Sequence, residues 1–139
     1  MTLSRRDFVA AVVAAGGAAS VSKVARAASH DAAECNEAVY VIATVTVKEG
    51  KRDEVVRIFN GIVPDVHAED GCIYYEPAVD IDSGIPAQPP LRPNVMVVVE
   101  KWDSLNHLHV HLDEPHMHTY REAVADLVED VELLVMKRA

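Results

Sequence analysis

Five histidines crowd one short stretch of the chain: His107, His109, His111, His116 and His118. A neutral imidazole is the side chain best suited to taking a proton near pH 7. Two imidazoles one helical turn apart can also share a metal ion. His107 and His111 have that spacing, so on a helix they share a face while His109 points elsewhere. His116 and Tyr120 repeat it. No C-x-x-C or paired Cys/His zinc spacing accompanies them. Each imidazole also has a plain reading. His111 is either a base or a helix-end residue favoured by the helix dipole. His116 either positions a guest or serves as a cap or interface residue. Upstream, Glu100 and Trp102 flank Lys101, which on a strand puts both on one face. A carboxyl amid apolar neighbours must be paired or protonated if buried. Glu100 is therefore either a partner that orients His111 or His116, or a structural contact to a backbone amide or to Arg121. Tyr74 and Tyr75 alternate in the same way, so one of them faces inward, as a hydrogen-bond donor to a guest or as core.

These residues need elements to hold them. Val39 to Val47 is dense in Val, Ile, Thr and Tyr and predicts a strand, broken at Glu49-Gly50. From Lys51 to about Val66, Val55, Ile58, Phe59, Ile62, Val63 and Val66 recur at helical spacing, with Pro64 set to kink or end the regular ladder. Asp70-Gly71 marks a turn, and Cys72 to Val79 reads as a second strand. Asp80 to Pro93 holds four prolines and Gly84, which makes it a loop long enough to act as a lid. Val95 to Trp102 is a third strand. Asp103-Ser104 can cap a short helix that runs to about Leu112. Pro115 can open another, because its missing N–H is tolerated in a first turn; Met117, Tyr120, Val124, Leu127 and Val128 supply its apolar face. Val131 to Met136 reads as the last strand. The order β-α-β-β-α-β predicts an α+β, ferredoxin-like sandwich. One sheet face packs on helices, and the other needs a second subunit, so a homodimer is expected.

The chain has 139 residues, half of them hydrophobic, which suits one domain with a real core. Its net charge of -9 argues against a nucleic-acid partner and against docking on an anionic membrane. Residues 1–27 read as a targeting peptide. Arg5-Arg6 precede an apolar run from Phe8 to Val21, too short for a comfortable membrane span, and Ala25-Arg26-Ala27 gives a small-x-small cleavage pattern. This resembles a twin-arginine export signal and implies a periplasmic or otherwise exported protein without a stable membrane anchor. Residues 28–38 form a polar lead-in, and residues 39–139 the folded domain. In an oxidising compartment Cys35 and Cys72 could pair, but their places in a lead-in and at a strand start favour two separate thiols.

Several strings then align with one family. Gly61-Ile62-Val63-Pro64 is followed by Glu69-Asp70-Gly71-Cys72, Tyr75-Glu76-Pro77 and Glu100-Lys101-Trp102. His107-Leu108, His111-Leu112, Pro115-His116-Met117, Tyr120 and Glu122-Ala123-Val124 complete the series. Together they resemble the antibiotic biosynthesis monooxygenase family, most closely its bacterial quinol monooxygenase branch. The resemblance implies a dimeric α/β barrel with a pocket between sheet and helices. It also implies oxygenation of a small quinol or polyphenol by O2 without metal, flavin or haem. In that setting His111, His116 and Glu100 are the expected catalytic residues, and Tyr75, Trp102, Tyr120 and His107 the expected substrate-binding residues. The family's haem-degrading members are expected to carry an Asn on the first strand and a haem-ligating His on the last helix. Ala43, Thr44, Tyr120 and Arg121 stand in those regions here, which argues against haem chemistry. A non-enzymatic binding dimer for a small molecule or metal is the alternative, and fold alone does not separate the two.

Overall fold

The computed structural model describes residues 37–139 and the backbone of Leu3–Ser4. The twin-arginine motif, the cleavage pattern and Cys35 lie outside the described residues. The elements are β1 (Leu3–Ser4), β2 (Val39–Val47), α1 (Arg52–Asn60), α2 (Val63–His67), β3 (Cys72–Ala78), β4 (Val95–Trp102), α3 (Leu105–Leu112), α4 (Pro115–Val124) and β5 (Val128–Lys137). The strands form one antiparallel sheet in the order β1-β5-β2-β4-β3. From β2 onward this is the ferredoxin-like arrangement expected from the sequence, with each helical segment divided in two.

Alternation decides which side chains meet the helices. On β2, Val39, Val41, Ala43, Val45 and Val47 are buried; on β4, Met96, Val98, Glu100 and Trp102 are. Val55 and Phe59 of α1, Val66 of α2, Leu108 of α3 and Met117, Tyr120 and Val124 of α4 close over them. Glu100 is the one carboxylate among these inward-facing strand residues.

Two boundaries differ from the sequence reading. The expected helix to Val66 is interrupted at Gly61-Ile62, and Pro64 falls in the first turn of α2. Without an amide proton Pro64 cannot continue the ladder of α1, so the helix restarts where the loss is harmless. At the other end α4 stops at Val124, and Val128 opens β5 rather than extending the helix. Lys48 N donates to Leu127 O (2.8 Å), which draws the chain into strand pairing early. The cap at Ser104 is as expected: its hydroxyl accepts from His107 N (3.3 Å).

The loop between β3 and β4 is closed at its base by Asp80 and Arg92, paired at 2.7 Å and joined again through the Arg92 amide. This ion pair and hydrogen bond hold the half-buried Asp80 carboxyl down at a pKa of about 2. No residue of that loop lines the cavity described below, so it is no lid in this conformation.

Candidate functional site

A cavity of about 120 Å³ opens between the inner face of the sheet and the helices. Its walls are mostly apolar, with Phe59, Val98, Met117 and Leu133 prominent. The polar residues that line it are Tyr75 on β3, Glu100 on β4, His111 on α3, Tyr120 and Arg121 on α4, and Glu129 and Asp130 on β5. A cavity near 150 Å³ is enough to hold benzene, so this space suits a single aromatic ring.

His111 is held with little freedom. It sits in the last turn of α3 and is 1% exposed. Its ring lies 4.5 Å from the Trp102 ring and 5.1 Å from that of Tyr75. Nδ1 donates to the Glu69 carboxylate, 3.0 Å from Oε1 and 3.1 Å from Oε2. No described residue hydrogen-bonds to Nε2. Because an ionised carboxylate only accepts, this contact places the proton on Nδ1 and leaves Nε2 with its lone pair. Burial pushes the His111 pKa below its ordinary value, with Glu69 opposing that shift in part.

Glu69 also receives a hydrogen bond from His116 Nε2 at 2.6 Å. One carboxylate thus serves two imidazoles from two helices. The local chain explains how. Glu69 follows α2, and Gly71, with φ of +78°, turns the chain into β3. Gly71 O accepts from Asp103 N (2.8 Å), tying this turn to the segment that launches α3. Only Asp113 and Glu114 separate α3 from α4, and the second residue of α4 is His116.

Glu100 takes its own partner. Trp102 Nε1 donates to Glu100 Oε2 at 2.8 Å, in the interior. Burial pushes the carboxyl up to about 7, the Trp102 hydrogen bond opposes this, and Glu69 adds to it. The Tyr75 and Tyr120 hydroxyls are held protonated, well above the usual phenol range, chiefly by burial. The Tyr75 hydroxyl points at Met117 Sδ (3.9 Å).

Of the residues singled out in the sequence, His111, Glu100, Tyr75 and Tyr120 line the cavity, and His116, Trp102 and His107 do not. Trp102 backs the His111 ring from behind. His107 Nδ1 lies 2.9 Å from Ser104 Oγ, and its ring packs against Gly71. The expectation that Glu100 orients His111 or His116 is corrected: Glu69 does so, since Glu100 is turned to Trp102 on its own strand. Arg121 does not pair with Glu100 through its Nη2, which donates to Leu112 O (2.6 Å). The shared ion imagined for His107 and His111 likewise gives way to a different group, Glu69 with His111 and His116. Glu69 stands in one of the family-like strings, Glu69-Asp70-Gly71-Cys72, but nothing local in the sequence assigns it a role. Its partners lie 42 and 47 positions away, and no local spacing reports such a contact.

Comparison with known proteins agrees with this architecture. The "Probable quinol monooxygenase YgiN" of Escherichia coli (strain K12) is 37% identical over 99 residues, covering 70% of this chain and 94% of that protein. Among solved structures, PA3566 from Pseudomonas aeruginosa superposes with a TM-score of 0.63 at 20% identity, covering 76% of this chain and 97% of that one. Rv0793 from Mycobacterium tuberculosis gives 0.61 at 24% identity, covering 74% of this chain and 96% of that one. These two establish the fold alone. The family model for antibiotic biosynthesis monooxygenase matches residues 38–123, most of the described domain, and the chain belongs to that family.

Proposed function

We propose that this protein is a cofactor-independent monooxygenase that oxidises a small quinol or polyphenol with O2. The observation that carries the reading is the Glu69–His111 pair: an imidazole on an apolar cavity wall, its tautomer set from behind, its Nε2 left for a guest. Family membership and the quinol monooxygenase named among the relatives support the choice of chemistry.

Triplet oxygen reacts slowly with a neutral hydroquinone and readily with its anion. In the proposed reaction Nε2 of His111 takes a phenolic proton, and the resulting quinolate passes electrons to O2. One oxygen atom enters the ring at a C–H position and the other leaves as water, giving a hydroxyquinone. The substrate supplies all four electrons, two from the quinol-to-quinone change and two from the C–H bond. Glu100, neutral in its buried setting below about pH 7, would donate a hydrogen bond to a substrate oxygen. Tyr75 and Tyr120 would supply further phenolic donors, and the apolar wall would hold the ring. His116 would act through Glu69, and Trp102 through the packing of His111.

The assembly proposed is a homodimer joined through the outer sheet face, where Tyr40, Tyr74, Leu134 and Met136 are each at least 40% exposed. Export by the twin-arginine leader is proposed with it. The direct test of the reaction follows oxygen uptake with a single-ring hydroquinone, using chelator-treated protein. Acceleration over buffer, lost in His111→Ala while the thermal midpoint moves little, is expected; no acceleration by the native protein would overturn the reading.

A further inference from the structure

Glu69, His111 and His116 each offer a ligand atom, and the three atoms lie within 4.8 Å of one another. They come from three separate segments: the turn before β3, the end of α3 and the start of α4. Two imidazoles and a carboxylate suit Zn²⁺, Cu²⁺ or another late first-row divalent cation, and suit Mg²⁺ or Ca²⁺ poorly. Zn²⁺ binds such ligands at roughly 2.0–2.2 Å, which sets neighbouring donor atoms somewhat over 3 Å apart. Glu69 is already 3.0 Å from His111 Nδ1 and 2.6 Å from His116 Nε2, so the separation of the imidazoles must close and the Glu69–His116 contact must open by less than an ångström. The Glu69 side chain is 8% exposed and that of His116 21%, which leaves an approach from the His116 side for the ion and for a water as fourth ligand.

We propose that this triad binds a late first-row divalent cation such as Zn²⁺, and that the bound cation switches off His111 as a base. The logic is tautomeric. Without the ion, Nδ1 carries the proton and Nε2 the lone pair. A cation bound at Nδ1 uses that nitrogen's lone pair, so the neutral imidazole must carry its proton on Nε2. The atom that would take a phenolic proton then has none of its acceptor capacity. The ion sits behind the imidazole, since neither Glu69 nor His116 lines the cavity. It therefore inhibits without occupying the substrate's space. The site stands on the geometry alone; its inhibitory effect rests on the function proposed above.

The test begins with chelated full-length protein titrated calorimetrically with ZnCl₂, with MgCl₂ as control. One zinc per chain is expected, weakened at least about tenfold in both Glu69→Gln and His116→Ala and unchanged in a His109→Ala/His118→Ala variant. Binding that the two ligand variants leave intact, or no zinc binding, would overturn the site. Imidazole ¹⁵N NMR reads the switch directly: the His111 Nε2 signal should move from the unprotonated to the N–H region on adding zinc. An unmoved signal on the zinc-loaded protein overturns the switch. Neither measurement needs turnover, so both stand even if quinol oxidation is not found. Where oxidation is found, saturating zinc should abolish most of it and chelator should restore it; full activity of the zinc-loaded enzyme overturns the inhibition.

Discussion

At the scale of single residues, the site turns on which proton sits where. Glu69→Gln replaces an obligate acceptor with a group that can donate to Nδ1, which frees His111 to take the wrong tautomer. The expected outcome is a loss of roughly 10²-fold or more in quinol-dependent oxygen uptake, with the thermal midpoint nearly kept. A parallel collapse of fold and activity would make Glu69 structural. Glu100 makes the second prediction. Its folded pKa of about 7 lies above its ordinary value of 4.5. The fold therefore binds its proton more tightly than the unfolded chain does. Stability associated with that proton is intact below about pH 4.5 and drains away as pH rises through 7. The full difference is about 3 kcal/mol by the usual conversion of pKa units. Urea unfolding of Glu100→Gln should therefore fall off less than that of the native protein between pH 5.5 and 8.5, and parallel pH profiles would refute it. Part of this residue-scale picture was legible beforehand. His111 and Glu100 stood out because an imidazole cluster and a carboxyl in an apolar strand are chemically conspicuous. Glu69 did not, because it sits in a polar turn where an acidic residue attracts no notice. Only the fold carries it to two imidazoles more than forty positions away.

At the scale of elements, the turn at Gly71 governs how the helices meet the sheet. Its φ of +78° favours glycine, and a Cβ there would collide with the His107 ring. Gly71→Ala should cost about 1–3 kcal/mol in denaturant unfolding and displace α3 enough to slow the reaction as well. A neutral effect on both would show that the turn is not under this constraint. The loop from β3 to β4 makes a contrasting prediction. Its base is strapped by Asp80 and Arg92, and its exposed tip does not line the cavity. Asp80→Ala should speed limited proteolysis between residues 80 and 92 while leaving oxygen uptake unaltered; a fall in activity would bring the loop into the mechanism. Most strand and helix limits could be read directly from the sequence. Val95 to Trp102 and the helices beginning after Ser104 and at Pro115 carry strong local signals in valine runs, a capping hydroxyl and a first-turn proline. The limits that shifted were those set by partners. The start of β5 at Val128 depends on pairing with the end of β2, around a register shift at Thr46/Val47, and nothing local announces it.

At the scale of the whole molecule, the described residues cover one face of the sheet with helices and leave the other uncovered. Outward-pointing Ile42, Val97 and Val99 are only half-buried, and Tyr40, Tyr74, Leu134 and Met136 around them are more exposed still. An apolar surface of this kind is the usual mark of an interface. Sedimentation of the native protein should give a dimer, and Leu134→Glu should shift it to monomer with the sheet signal in circular dichroism retained. A native monomer at micromolar concentration would remove the assembly while leaving the cavity chemistry untouched. The α+β architecture was legible because alternation on β2 and β4 and helical spacing on α1 point to the same layered packing. Where a cavity would remain inside that packing was not, since a void is a property of side-chain volumes summed across several elements.

The chain contains a single tryptophan, and Trp102 lies with its indole N–H on Glu100 and its ring against His111. Ultraviolet emission from this protein therefore originates, as far as indole is concerned, at one address. Ionisation of Glu100, a ring entering beside Tyr75, or copper arriving at Glu69 would each alter the brightness or colour of that light. Occupancy of the centre can thus be followed in real time by fluorescence, with no dye, label or engineered reporter.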